Sequence, residues 1–168
     1  MSAFPEDVLR QAEALLAFCR SRKLKIATAE SCTGGLIIGA LTEIGGSSDV
    51  VDRGFVTYSN DAKQAMLDVS PDILSKVGAV SKETALAMVA GALANSGADI
   101  AVAVTGIAGP GGGTSGKPVG MVHLAAANRK TASHRELRLG DIGRSAIRME
   151  AVRCALEMLS EIAAQSLE

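Results

Sequence analysis

Ser31 is the hydroxyl whose surroundings most suggest chemistry. It stands in Ala29-Glu30-Ser31-Cys32-Thr33-Gly34-Gly35, between a short strand-like run (Lys25 to Ala29) and an apolar segment of helical period from Leu36 to Ile44. A serine at such a turn is presented at the carboxyl end of a strand, where open α/β sheets bind ligands. The N–H groups of Thr33, Gly34 and Gly35 then fall at a helix N-terminus, where they are expected to stabilise developing negative charge. A nucleophile beside an oxyanion hole fits this pattern, and a plain N-cap fits it equally. Cys32 is a rival nucleophile, but a cysteine with no histidine assigned to it reads more simply as a packed thiol.

A hydroxyl nucleophile needs a base. In Gly54-Phe55-Val56-Thr57-Tyr58-Ser59-Asn60-Asp61-Ala62-Lys63, Tyr58 closes a β-branched run that starts at Val50, and Lys63 lies in the first turn of the next helix. If the strands before Ser31 and Tyr58 are neighbours, Ser31, Tyr58 and Lys63 share one sheet edge. A lysine serves as base when burial or a nearby cation lowers its pKa, and a tyrosine can relay a proton or fix the hydroxyl. Taken alone, Lys63 reads as a solvated helix lysine.

The third feature is the glycine-rich loop Gly106 to Pro118. Gly111 to Lys117 matches the first seven positions of the P-loop pattern, but Pro118 stands where a magnesium-binding Ser or Thr belongs, and a strand follows where a helix is needed. Gly111, Gly113 and Gly116 also spell G-x-G-x-x-G without the helix that would face a pyrophosphate. ATPase and dinucleotide folds are therefore set aside. What remains is a loop of backbone N–H groups able to close over an anion, or a surface loop with no ligand.

The elements that must position these groups follow from the periodicity. Pro5-Glu6-Asp7 opens an amphipathic helix carrying Val8, Leu9, Ala12, Leu15, Leu16 and Cys19. A short helix follows Asp61. Ser70 and Ser81 cap two more, ending at Gly78 and near Asn95-Ser96-Gly97. Ile100 to Val104 reads as a central strand covered on both faces. Val119 to Ala127 and Thr131 to Leu139 read as a hairpin at the sheet edge, and Arg144 to Ala164 as a long final helix. Strands alternating with helices, then a hairpin, predict a three-layer α/β/α domain with a mixed, partly parallel sheet and right-handed crossovers.

Composition narrows the function. The chain has 168 residues, which predicts a single domain burying roughly 70% of the surface its unfolded form exposes. Hydrophobic residues make up 48%, yet Phe4, Phe18, Phe55 and Tyr58 are the only aromatic ones, so the core must be aliphatic. The 17 Lys and Arg against 18 Asp and Glu give a net charge of −1, without the basic excess or aromatic platforms that nucleic-acid binding uses. His123, His134, Cys19, Cys32 and Cys154 form no metal-ligand spacing, and three scattered cysteines suggest free thiols in a reducing compartment. No apolar run approaches the ~20 residues of a membrane span, and residues 1–9 lack a signal-peptide core. A soluble, cytoplasmic protein is expected, with no cofactor, no metal, no nucleic-acid partner and no membrane partner. An apolar last helix and an edge hairpin favour self-association, most simply as a dimer.

Four ordered segments give the chain a resemblance to the C-terminal domain family of the competence/damage-inducible protein CinA, also known as nicotinamide-nucleotide amidohydrolases. They are Thr28 to Gly35, Phe55 to Asn60 with Lys63, Gly78 to Ser81, and Val104 to Gly112. The resemblance implies hydrolysis of the linear carboxamide of nicotinamide mononucleotide to nicotinic acid mononucleotide and ammonia, in pyridine nucleotide salvage. It implies Ser31 as nucleophile, with Tyr58 and Lys63 as its partners. The expected course has neutral Lys63, assisted by Tyr58, taking the Ser31 proton while the oxyanion rests on Thr33 to Gly35. For the substrate's phosphate we expect the Gly106 to Gly113 N–H groups, including Gly109, Gly111 and Gly112, with Thr105 at the base of the loop and Arg144 or Arg148 from the last helix. Longer relatives carry a molybdopterin-biosynthesis-like domain with pyrophosphatase activity. This chain begins at the amidohydrolase part, so that activity is not implied. A nucleotide-binding regulatory domain and a nucleotide pyrophosphatase are the competing readings.

Overall fold

The computed structural model describes residues 1–166. A five-stranded sheet in the order β2-β1-β3-β4-β5 is built from β1 (Ile26–Glu30), β2 (Val51–Val56), β3 (Ile100–Gly106), β4 (Met121–Asn128) and β5 (Ala132–Arg138). The β2–β1 and β1–β3 pairs are parallel, whereas β3–β4 and β4–β5 are antiparallel, so the sheet is mixed and the hairpin forms its edge. The helices are α1 (Glu6–Arg22), α2 (Leu36–Thr42), α3 (Asn60–Leu67), α4 (Pro71–Val77), α5 (Lys82–Ala94) and α6 (Arg144–Gln165). They flank both sides of the sheet in a three-layer α/β/α arrangement.

Strand alternation gives the two faces of the sheet different side chains. Ile26, Ile100, Val102, Val104, Val122 and Leu124 pack with α1, α2 and α6. The opposite face carries Ala27, Ala29, Ala101, Ala103, Ala125 and Ala127, packed with α5 and with Leu67 of α3. These alanines stand in register across three strands, Ala27 beside Ala101 beside Ala127 and Ala29 beside Ala103 beside Ala125. Small side chains let α5 lie close to the sheet, which is how so large an aliphatic fraction fills an interior with little aromatic bulk. The approach continues outward: a β-carbon on Gly91 of α5 would lie 1.9 Å from the Leu67 carbonyl oxygen, so only glycine lets α3 sit against α5 there.

The expected serine caps form at Ser70 and Ser81, and Ser59 adds one that was not expected: the three accept from the N–H groups of Asp72, Thr84 and Ala62, satisfying donors that a helix start leaves open. Some boundaries differ. β2 stops at Val56 instead of Tyr58, because the chain makes one last bond to β1, from Thr57 N–H to Glu30 O, and then turns away. β4 starts at Met121 instead of Val119, after Gly120 at φ 90°, where the backbone of Gly140 crosses too closely for any side chain. β3 runs to Gly106, held by its antiparallel partner Val122. Among the described residues, no helix is long and apolar enough to cross a membrane.

Candidate active site

Ser31 follows the last residue of β1. Its N–H donates to Val104 O at 3.0 Å, so the backbone is held to β3 at the mouth of a cleft between the sheet's carboxyl edge and the glycine loop. Lys63 reaches the same point from α3. Its Nζ lies 2.9 Å from Ser31 Oγ, 2.9 Å from Thr57 O and 3.4 Å from Tyr58 O, all neutral oxygens. The side chain is buried, only 1% exposed, and burial lowers its pKa from the ordinary lysine value. An ammonium there would be stripped of water with no carboxylate within ion-pairing distance, so burial shifts the balance toward the neutral amine relative to an exposed lysine.

The turn that carries Ser31 is held from within by Glu30. The Glu30 side chain is fully buried, and its carboxyl oxygens accept from Ile37 N–H (2.8 Å), Ile38 N–H (3.0 Å), Thr33 Oγ1 (2.7 Å) and Thr28 Oγ1 (3.3 Å). This corrects the expected oxyanion hole at Thr33, Gly34 and Gly35. The first turn of α2 already has its acceptor in Glu30, Gly34 N–H is turned back to Ser31 O, and none of the three residues lines the cleft. Gly34 and Gly35 serve the turn through their positive φ of 58° and 99°. The residue after Ser31 that does line the cleft is Cys32, whose N–H donates to no other described residue.

Arg148 is likewise corrected as a phosphate ligand. Its guanidinium donates to Cys32 O (3.0 Å) and Thr33 O (3.1 Å), clamping the serine turn from α6 instead of facing the cleft. Arg144, one turn earlier, does line the cleft, donating to Gly109 O (2.7 Å) and to the Tyr58 hydroxyl (3.2 Å). The Tyr58 ring is 63% exposed and its hydroxyl meets Arg144, so the expected assistance of Lys63 by the phenol is not what the geometry offers. Tyr58 touches Lys63 through its backbone carbonyl instead.

Thr105, Gly106, Gly109, Gly111 and Gly112 all line the cleft, which has a volume of about 320 Å³. Thr105 Oγ1 donates to Ala79 O, tying β3 to the segment before α5. The N–H groups of Ala108, Gly109, Gly111 and Gly112 have no acceptor among the described residues, so they remain open to an anion. Cys32 also borders the cleft, but burial pushes its thiol up to about 11, which removes it as a nucleophile near neutral pH. Cys19 and Cys154 are free and buried, as packed thiols should be.

Sequence reasoning missed the Glu30 carboxyl and the Cys32 N–H. A glutamate closing an otherwise apolar strand was the available signal for the first. The second had no side-chain signature, since any residue after Ser31 supplies an N–H.

An α/β/α domain with a buried serine–lysine pair under a glycine loop is thus the class that fold and site define. The chain belongs to the CinA C-terminal domain family, whose family model matches residues 9–163. A crystal structure of competence/damage inducible protein CihA from Agrobacterium tumefaciens is 58% identical, with a TM-score of 0.95 over 96% of this chain and 99% of that one. A competence damage-inducible protein A (ComA) structure from Klebsiella pneumoniae is 36% identical, with a TM-score of 0.88 over 94% of this chain and 97% of that one. A putative competence-damage inducible protein from Caldicellulosiruptor bescii is 47% identical over 88% of this chain, and a CinA-like protein from Synechococcus sp. 50% identical over 88%. The chain spans only 36% of the length of each of these two relatives.

Proposed function

We propose that the chain is an amidohydrolase that cleaves the carboxamide of nicotinamide mononucleotide, giving nicotinic acid mononucleotide and ammonia in pyridine nucleotide salvage. The observation that carries this reading is the 2.9 Å contact between the Lys63 amine, whose pKa burial lowers, and Ser31 Oγ in an open cleft. A neutral amine has two hydrogens and one lone pair. Thr57 O and Tyr58 O take the hydrogens, which leaves the lone pair for the Ser31 hydroxyl proton.

In this reading Lys63 takes that proton as Ser31 Oγ bonds to the carboxamide carbon, and the former carbonyl oxygen gains negative charge against Cys32 N–H. The Lys63 ammonium then gives its proton to the amide nitrogen, the C–N bond breaks, and ammonia leaves an acyl-serine. Water enters, loses a proton to Lys63 and attacks the ester, and the proton returns to Ser31 Oγ as the acid departs. The electron-withdrawing pyridinium ring makes the amide more electrophilic than a neutral one. Arg144 and the open N–H groups of the glycine loop meet the phosphate, with Tyr58 holding Arg144 in place. A cleft of this volume lies in the range used for small nucleotides.

The test is ammonia release from nicotinamide mononucleotide by the purified chain. Turnover that survives chelator and disappears in Ser31→Ala supports the reading. Binding without turnover in the wild type would leave a regulatory nucleotide-binding domain, and absence of ammonia release together with chelator-sensitive cleavage of a dinucleotide's pyrophosphate bond would favour a metal-dependent pyrophosphatase.

A further inference from the structure

On the far side of the glycine loop lies a second cleft of about 530 Å³, walled by α4, the start of α5, the 116–117 end of the loop, β4 and β5. It shares Val80 with the candidate active cleft but none of the catalytic groups. Lys76 from α4, Lys82 from α5, Lys117 from the loop and Arg138 from β5 all line it. Arg138 is paired with Glu136, whereas among the described residues no carboxylate lies within ion-pairing distance of Lys76, Lys82 or Lys117. Lys117 Nζ donates instead to the neutral carbonyl of Val77. Three ammonium groups without an ion-pair partner, from three separate segments, thus line one hollow that also holds the Glu83 and Glu136 carboxylates, in a chain whose net charge is −1.

The floor is polar as well. His123 is buried, and its Nδ1 lies 2.9 Å from Nε2 of His134 on β5, with the two rings stacked. Its Nε2 lies 3.6 Å from the Glu136 carboxylate. With Nε2–H of His123 facing Glu136, Nδ1 is left as acceptor and His134 Nε2–H donates to it. That pair of neutral tautomers satisfies both contacts at the edge of the basic cleft.

We propose that this cleft is a second anion site, separate from the candidate active cleft, that takes the diphosphate group of a small phosphorylated molecule on Lys76, Lys82 and Lys117. A diphosphate supplies enough negative charge to engage three ammonium groups, and the volume admits the group together with an attached nucleoside. The site is independent of the amidase reading.

The imidazoles make the site observable, because His123 and His134 are the only histidines in the chain. Burial depresses both, and the lysines add to this: Lys117 disfavours His123 protonation and Lys82 that of His134, while Glu83 and Glu136 oppose them. An anion on the lysines screens that repulsion and must raise both imidazole pKa values.

The experiment titrates the full chain with inorganic pyrophosphate while following the two imidazoles by NMR, with sodium chloride of equal ionic strength as control. The expected result is a saturable shift of both signals and a rise in both pKa values that chloride does not reproduce. Lys82→Gln and Lys117→Gln, checked for unchanged melting temperature, should each weaken binding by about tenfold or more. Arg144→Gln should leave it unchanged. A response absent, matched by chloride, or insensitive to the lysine substitutions overturns the proposal. Loss of the response in Arg144→Gln also overturns it, by assigning the anion to the candidate active cleft.

Discussion

The Nζ of Lys63 meets the Oγ of Ser31 at 2.9 Å across 32 positions of sequence, one side chain leaving the end of a strand and the other the first turn of a helix. Parallel pairing of β1 with β2 makes the meeting possible. Glu30 lies in register with Val56, so the chain just beyond each strand emerges at the same edge of the sheet. Replacing Ser31 by Ala removes the hydroxyl without disturbing that frame. Hydrolysis of nicotinamide mononucleotide should fall by about 10⁴-fold or more, with the melting temperature nearly unchanged. Ammonia assays and calorimetry on the same preparation check both.

Lys63 gives a pH dependence of defined sign. As the base it must be neutral, so kcat/KM should rise with pH to a plateau, with a midpoint below the ordinary lysine value of 10.5. Lys63→Arg, a cation that cannot deprotonate, should abolish the rise together with nearly all activity.

Stability carries the same signature. The folded pKa of Lys63 lies below its unfolded value, so between the two the unfolded chain binds more protons and stability increases with pH. The penalty for burying the charge is largest below the folded pKa and vanishes above 10.5. Denaturant melts from neutral to alkaline pH should show a rise in the wild type that Lys63→Met lacks. Comparing the two proteins cancels the contribution of the buried cysteines, which also titrate there.

Glu30→Ala would orphan the Ile37 and Ile38 N–H groups and the Thr33 hydroxyl inside the protein. A loss of about 2–4 kcal/mol is expected in urea titrations. Glu30→Gln keeps the shape but turns an amide NH₂ toward one of the two N–H donors, so it should retain the fold while lowering kcat more than it raises KM.

Tyr58→Phe tests the corrected role of the phenol. If the hydroxyl only steadies Arg144, the variant should raise KM several-fold and leave the pH profile set by Lys63 in place. A shifted or flattened profile would instead return Tyr58 to the proton path.

The three layers, the mixed sheet and all six α-helices of the described residues were legible in the sequence because local signals mark them, whereas the short 3-10 turn Ser47–Asp49 was not. Alternation marked the edge hairpin, serine caps marked α4 and α5, and a continuous apolar run marked β3. The trio of Ser31, Tyr58 and Lys63 was legible as a set of residues, but their division of labour was not. Nothing local distinguishes Arg144 from Arg148, which lie one helical turn apart on α6, yet one faces the cleft and the other grips the serine turn.

By itself, then, the sequence determined the element types and the aliphatic core, since these depend on residue type and on periods of two and three to four residues, and it offered Ser31 and Lys63 as candidates whose roles came from the family resemblance. The tertiary structure decided whether Lys63 is dry, which N–H groups are spent and which remain open, and where each guanidinium points. Some of those properties arise from contacts between segments distant in the chain, Lys63 with Ser31, Arg144 with Gly109 and Arg148 with Cys32; others, Glu30 at the N-terminus of α2 and the Thr57 and Tyr58 carbonyls around the Lys63 amine, join near neighbours but form only once strand, turn and helix pack together. A hydrogen-bond donor can be satisfied only once, and which partner reaches it first is fixed by packing.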